Sequence, residues 1–304
     1  MNEQSKSQDK EVKGFIFAIL DMITYGLLPV FSNYFVKTID PLLFGGLTTL
    51  IGSTPLLLKL KLKGQEKDLF SFRFTKPLLG IAILATVGSF FFFVGTKYTS
   101  GINTGLLIQL EPFYAIVLSA IFLGEVIKKN QIMATLTMVL GAVVLVYKGI
   151  DRLNIGDIFI VFAPMFFQAS HMIAKKIMDK VSDTDVIPAA RLLYSGFLLT
   201  ALAFIVRPSS FQQLFSLQNV ISIIIFAFIF RALDFYLWYQ AIKRISVSRA
   251  AAVIPLAAAI SFIGSIFFLK EIPNAKQYLG LSLIMGGLIW FSIIHLKENK
   301  KDSN

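Results

Sequence analysis

The sequence predicts an all-α integral membrane protein: ten transmembrane helices arranged as two inverted five-helix repeats. Three observations carry this reading. First, apolar runs of about eighteen residues or more recur along the 304-residue chain, long enough to cross a hydrocarbon core as helices. Second, 56% of residues are hydrophobic and only 15% charged, with a mean hydropathy of +0.72. A soluble domain carries about a quarter charged residues, so this chain lacks the polar surface for a water-facing shell. Third, a shift of 146 residues lays part of the second half on the first. In lipid the backbone must satisfy its own hydrogen bonds, which leaves helices or closed barrels. The runs are continuous rather than alternating, which selects helices.

The expected spans are 14–36, 41–58, 77–96, 102–123, 131–147, 156–174, 186–206, 219–242, 250–269 and 277–296. Residues 1–13 and 297–304 read as polar cytoplasmic tails, and the two repeats as 14–150 and 151–296. Residues 1–13 mix acids and bases, and the run that follows is too long for a typical signal peptide. The connections are short, the longest running from Lys59 to Lys76. Of the 29 Lys and Arg residues, 20 fall in the tails and even-numbered connections and 7 in the odd-numbered ones, while Arg191 and Arg231 lie inside spans. That asymmetry places both termini in the cytoplasm, as an even number of spans also requires. The net charge of +11 is therefore an orientation signal and not a nucleic-acid footprint.

The repeat is clearest from Lys97 onward. Lys97, Ser100, Ile108, Leu110, Ser119, Phe122, Leu123, Glu125, Gln131 and Gly141 fall, without a gap, on Lys243, Ser246, Ile254, Leu256, Ser265, Phe268, Leu269, Glu271, Gln277 and Gly287. Each half holds five spans. Five is odd, so the second half enters the membrane from the opposite side. Secondary transporters are often built this way, with the site near mid-membrane between the repeats.

The segment Leu110-Glu111-Pro112-Phe113-Tyr114-Ala115, then Phe122-Leu123-Gly124-Glu125, Gln131 and Gly141, resembles the EamA domain of the drug/metabolite transporter superfamily. Tyr239 to Lys243 and Phe268 to Glu271 resemble the same domain again, so the likeness covers Gly14 to about His295. It implies a permease in which the halves rock around a cavity lined by spans 1, 3, 4, 6, 8 and 9. Arg191 fits an arginine the family often carries early in the second helix of a repeat; the first half has Gly46 near that place. Pro255 lies three residues earlier than Pro112 projects, and Lys270 stands where the family usually has glycine.

Candidate site residues are the polar groups inside spans, because a charge at a helix centre costs about 2.5–3.5 kcal/mol on insertion scales. Glu111 sits near the middle of span 4. Pro112 frees a carbonyl one turn back, and a carboxylate at such a kink can bind a cation or take up a proton. The bland alternative is a glutamate tied to a neighbouring helix. Asp21 shares a stripe with Tyr25 and Pro29 on span 1; it reads either as a second ion-coupling acid or as the partner of Arg191. Arg231 and Asp234 are three apart on span 8. They either neutralise each other or hold a substrate, Arg231 taking its carboxylate or phosphate and Trp238 stacking on it. Gln168 and His171 share one face of span 6, and Gln109 is a cavity hydrogen-bonder. Glu125 and Glu271, the acids the repeat shares, read as structural, whereas Glu111 projects onto an alanine. The Gly101-xxx-Gly105 spacing permits close helix packing. The Phe90–Phe93 run reads as lipid contact and packing.

Other classes lack their motifs. There is no cysteine, hence no thiolate metal site, and only two histidines. There is no Gly-Lys dipeptide for a P-loop and no Gly-x-Gly for a dinucleotide. No metal or cofactor is expected. A membrane enzyme or lipid-handling protein would need polar residues gathered at one membrane face, and the acids lie at mid-depth instead. The expected activity is secondary transport of a small metabolite. The resemblance implies export, and a proton-coupled amino acid or similar amphipathic metabolite fits it; nutrient uptake is the alternative. Expected partners are the substrate, a proton or other coupling ion and the lipid bilayer, with the chain a monomer or homodimer in the cell membrane.

Overall fold

A computed structural model describes residues 3–147, 153–245, 249–250 and 253–302. The expected boundary between the repeats, at 150/151, and the repeat residue Ser246 lie outside the described residues. Every regular element among those described is helical. In chain order these are α1 (Glu3–Val36), α2 (Pro41–Gly52), α3 (Thr54–Leu62), α4 (Lys67–Phe70), α5 (Phe72–Tyr98), α6 (Gly101–Leu107) and α7 (Glu111–Leu123). They continue with α8 (Lys129–Val146), α9 (Ile155–Ile177), α10 (Val186–Val206), α11 (Leu217–Ala227), α12 (Asp234–Ile242), α13 (Pro255–Leu269) and α14 (Ala275–Asp302). Among the described residues nine helical stretches are long and apolar enough to cross a membrane, and α13 is a shorter apolar helix of 15 residues.

Three differences from the sequence reading have local causes. Residues expected as a polar tail before span 1 join α1 from Glu3 onward, and α14 runs on to Asp302. Helical hydrogen bonds propagate into water at little cost once a span has nucleated them. The 59–76 connection is largely helical, because α3 extends to Leu62 and α4 occupies Lys67–Phe70. The Phe90–Phe93 run divides: Phe92 and Phe93 are buried, Phe93 meeting Phe44 edge-on with ring centroids 6.0 Å apart, while Phe90 and Phe91 stay partly exposed.

The residues that repeat at 146 do the same structural work twice. Helices α7 and α13 both end in a left-handed residue, Gly124 (φ 68°) and Lys270 (φ 58°). In each copy the amide of the next residue, Glu125 or Glu271, donates back to Ser119 or Ser265 at 3.4 and 3.3 Å. The left-handed residue's own amide donates to the same serine carbonyl, so that one carbonyl in each copy closes its helix end. Gln131 and Gln277 each accept from the amide that opens their helix, Lys128 N at 3.0 Å and Asn274 N at 3.0 Å. Gly141 and Gly287 let α8 and α14 cross closely. A β-carbon on either would stand 3.0 Å from Gly280 O or 2.7 Å from Ala134 O.

The helices pair with the same symmetry. From the first half, α1 packs on α12 and α13; its counterpart α9 packs on α5 and α7. Helices α2 and α10 pair with each other, as do α8 and α14. The core where the halves meet is aromatic, with Phe44 against Phe226 at 4.8 Å and Phe226 against Phe230 at 4.9 Å.

The two repeated acids part company in their contacts. Both carboxylate oxygens of Glu271 accept from the first amides of α6, Gly101 N at 2.6 Å and Ile102 N at 2.9 Å. It caps a helix that the other half supplies, and its charge suits that helix's positive end. Glu125 meets Lys175 at 2.8 Å on an exposed edge, and that lysine holds its carboxyl below the ordinary glutamate range. Glu271→Ala should therefore cost about 1–2 kcal/mol of stability. Glu125→Ala should cost about 0.5 kcal/mol or less. Thermal unfolding of both variants in the same detergent tests this; equal losses would contradict it.

Candidate functional site

Two spans are broken at mid-length, and each break presents a carboxylate at the start of a new helix. In span 4, α6 tightens into a 3₁₀ turn at Ile108–Leu110 and α7 restarts at Glu111-Pro112. Pro112 cannot donate to the preceding turn, so the helix interrupts there. In span 8, α11 widens into a π turn at Phe228–Leu233 and α12 restarts at Asp234. An acid in the first turn of a helix faces the positive end of its dipole. Broken spans with charged ends are how transporter sites are commonly built.

Around Glu111 four groups converge from three other spans. The Gln168 amide of α9 donates to its carboxylate at 3.4 Å, and the Tyr25 hydroxyl of α1 lies within hydrogen-bonding reach. The charge facing Glu111 is Arg191 of α10. Arg191 donates to His171 Nε2 at 2.5 Å, and its guanidinium stands 5.4 Å from the centre of the Phe167 ring. An arginine has no acceptor, so Nε2 of His171 is the unprotonated nitrogen of the ring. His171 is solvent-accessible although protein surrounds it deep in the bundle.

Beside this group, Asp21 of α1 faces Asp234 of α12. Thr24, one turn after Asp21, donates from its hydroxyl toward Asp234 Oδ1 at 3.3 Å and Asp21 O at 2.8 Å. Asp21 is 3% exposed, and its Oδ1 is buried without a hydrogen-bond partner. Arg231 sits in the π turn with its guanidinium 5.3 Å from the Phe93 ring centre and its Nε buried without a partner. Its charge neighbours are Asp234 and Arg191.

The structure thus brings Asp21, Tyr25, Glu111, Gln168, His171, Arg231 and Asp234 into one cluster. Two expected residues stand apart. Trp238 packs with Phe15, Phe17 and Ala18 in a separate apolar group. Gln109 is buried in the 3₁₀ turn. The alternative pairing of Asp21 with Arg191 is not formed: Arg191 donates to His171 and faces Glu111. Sequence reasoning missed Thr24, which looked like any helix threonine.

A second polar region lies where α1 ends. Asp157 of α9, fully buried, accepts from the Thr99 hydroxyl and from Asn103 Nδ2 at 2.9 Å; Gln277 donates to Asn103 Oδ1 at 3.0 Å. Asn33 Nδ2 donates to Thr96 O and Thr99 O at 2.8 and 3.0 Å. A cleft of about 710 Å³ opens here, lined in part by Tyr98, Asn154, Asn274 and Lys276. Its charged groups are already used: Glu271 caps α6, and Lys276 donates to Tyr147 O at 2.8 Å. The chemistry therefore points to the central cluster. Among the described residues no group of three or more His, Asp or Glu could hold a metal ion.

Comparison with known proteins agrees with this architecture. The EamA-like transporter family model matches residues 12–147 and again 154–293. An uncharacterized transporter of Methanothermobacter thermautotrophicus is 23% identical, over 91% of this chain and 86% of its own length. A probable amino-acid metabolite efflux pump of Salmonella typhimurium is 24% identical, over 90% of this chain and 93% of its own. One crystal structure superposes with a TM-score of 0.65 at 16% identity, over 96% of this chain and 99% of that one, which speaks to the fold. Two matched repeats spanning most of a multi-pass helical chain are decisive: the protein belongs to the EamA-like transporter family.

Proposed function

We propose that this protein exports an amino acid or a similar small amphipathic metabolite across the cell membrane, coupled to proton entry by alternating access. The observation that carries the reading is the charged cluster held where spans 4 and 8 break, with contributions from five spans. Burying these charges costs energy that a purely structural bundle would avoid. Arg231 offers a donor to a carboxylate, and nearby carboxylates suit an ammonium group. The Salmonella relative's name supports the substrate class. In this reading α13 completes a tenth span, the halves are inverted, and the basic connections keep both termini in the cytoplasm.

Counterflow in liposomes with a mixed pool of labelled amino acids tests the function. Arg231→Gln should lower the exchange rate at least about tenfold, because a hydrogen bond to a charged group contributes about 1.5–3 kcal/mol. Wild-type liposomes that exchange none of the pool, or an Arg231→Gln protein that exchanges at full rate, would contradict it.

A further inference from the structure

We propose that the elbow between α3 and α5 is a binding site for anionic phospholipid, in which Lys61, Lys67, Arg73 and Lys76 hold the phosphate headgroups of the adjoining leaflet. The inference goes beyond the transport reading above and does not depend on its substrate or coupling.

Position comes first. Leu62 is the last residue of one apolar stretch long enough to cross a membrane, and Phe72 is the first of the next. Residues 62–72 therefore lie where two spans leave the bilayer, on the side where the basic connections gather. The elbow is fastened to the protein. Leu60, Leu69 and Phe74 are buried in one apolar cluster with Val186 and Ile187 of α10, and the Tyr194 hydroxyl donates to Leu69 O at 2.5 Å. This anchoring sets which side chains point away from the bundle.

The charges are sorted by that anchoring. Residues 59–76 carry six cations and two acids. Both acids are spent on the protein side: Asp68 accepts from Ser182 N at 2.7 Å, and Glu66 Oε2 is buried. Two of the cations have acidic partners, Lys63 meeting Asp183 at 2.5 Å and Lys59 meeting Asp185. The other four, Lys61, Lys67, Arg73 and Lys76, are exposed, and among the described residues no carboxylate pairs with them. The outward surface thus carries one sign of charge.

Apolar side chains are interleaved with these cations. Leu62 follows Lys61, Phe72 precedes Arg73, and Phe70 ends the short helix that Lys67 begins; they are 79%, 90% and 71% exposed. At a membrane edge such side chains leave water by entering the interface, which sets their charged neighbours at headgroup level. A cluster of four cations there attracts acidic lipid, each contributing about fivefold in affinity at an anionic surface. A zwitterionic headgroup has no net charge and lacks that attraction.

The test is thermal unfolding of the delipidated protein in neutral detergent, titrated with dioctanoyl phosphatidylglycerol or dioctanoyl phosphatidylcholine. The anionic lipid should stabilise the wild type at lower concentration than the zwitterionic one. The variant Lys61→Gln/Lys67→Gln/Arg73→Gln/Lys76→Gln should need at least about tenfold more of the anionic lipid for the same stabilisation. Lys176→Gln/Lys180→Gln, which removes two exposed cations of the next connection on that side, should respond as the wild type does. Should the fourfold variant not fold, Lys61→Gln and Arg73→Gln singly should each raise the required concentration a few-fold. Equal response to the two lipids, an unshifted response in the elbow variants, or an equal loss in the Lys176/Lys180 control overturns the proposal. So does inorganic phosphate that stabilises the wild type as well as the anionic lipid does, which would make this a site for free anions. Transport is not measured, so a failed counterflow experiment leaves the lipid site standing.

Discussion

Gly105→Val should destabilise the protein by about 3 kcal/mol, near the upper end for overpacking a tight core. Helix α6 lies against α13 so closely that a β-carbon at position 105 would stand 2.5 Å from Ser261 Cβ and closer still to its hydroxyl oxygen. The hydroxyl can rotate away; the β-carbon is fixed to the backbone of α13. Even Gly105→Ala should cost about 2 kcal/mol here. In an open helix the same change would gain up to about 1 kcal/mol from propensity. The sign is therefore diagnostic. Adding Ser261→Gly to Gly105→Ala removes the colliding atoms and should restore most of the loss. Thermal unfolding in detergent decides: an alanine variant as stable as wild type, or no recovery in the double variant, would show that the contact is not tight.

Arg191→Gln should cost about 2 kcal/mol of stability. Removing one partner of a fully buried contacting ion pair costs about 3–5 kcal/mol; Arg191 faces Glu111 without an ion-pair contact among the described residues, which lowers the cost here. The loss comes from Glu111, left with only neutral donors for its charge. Glu111→Gln added to Arg191→Gln removes that orphaned charge and should recover half the loss or more. A double variant as unstable as the sum of the singles would mean the two residues act independently.

Much of the fold was legible because its causes are local. A run of apolar residues must satisfy its own backbone in lipid, so the spans could be read off with ends correct to within a few residues, except where polar tails extended a helix. The repeat was legible for a related reason. Ser119, Gly124 and Gln131 with their later counterparts are turn and cap residues, and caps are written in short segments of sequence. Gly141 and Gly287 record a crossing that the symmetry makes twice. What repeats in this chain is scaffold. The central cluster does not repeat, and a self-comparison is silent about it.

The candidate site was half legible. Charges in apolar runs announce themselves, so Asp21, Glu111, Arg231 and Asp234 could be singled out without coordinates. Their partners could not, since helix rotation and neighbour choice are set by packing. The π turn before Asp234 alters the register of span 8, and no proline or glycine in Phe228–Leu233 signals it. Trp238 looked like a stacking residue by spacing alone, yet its neighbours are apolar side chains near the start of α1. Asp157, which the sequence did not single out, is the buried centre of a hydrogen-bonded network.

By itself the sequence determined that this chain crosses a membrane as helices, that it does so in two copies of one unit, and that it carries more mid-membrane charge than a bundle needs. Hydrophobic runs, caps and uncompensated charges are properties of short segments, so they need no coordinates. Only the tertiary structure decided which acid meets which arginine. Glu111 comes to face Arg191, and Asp234 comes to face Arg231. Electrostatic energy depends on distances between residues as far apart in the chain as Glu111 and Arg191, and those distances exist only once the helices have packed.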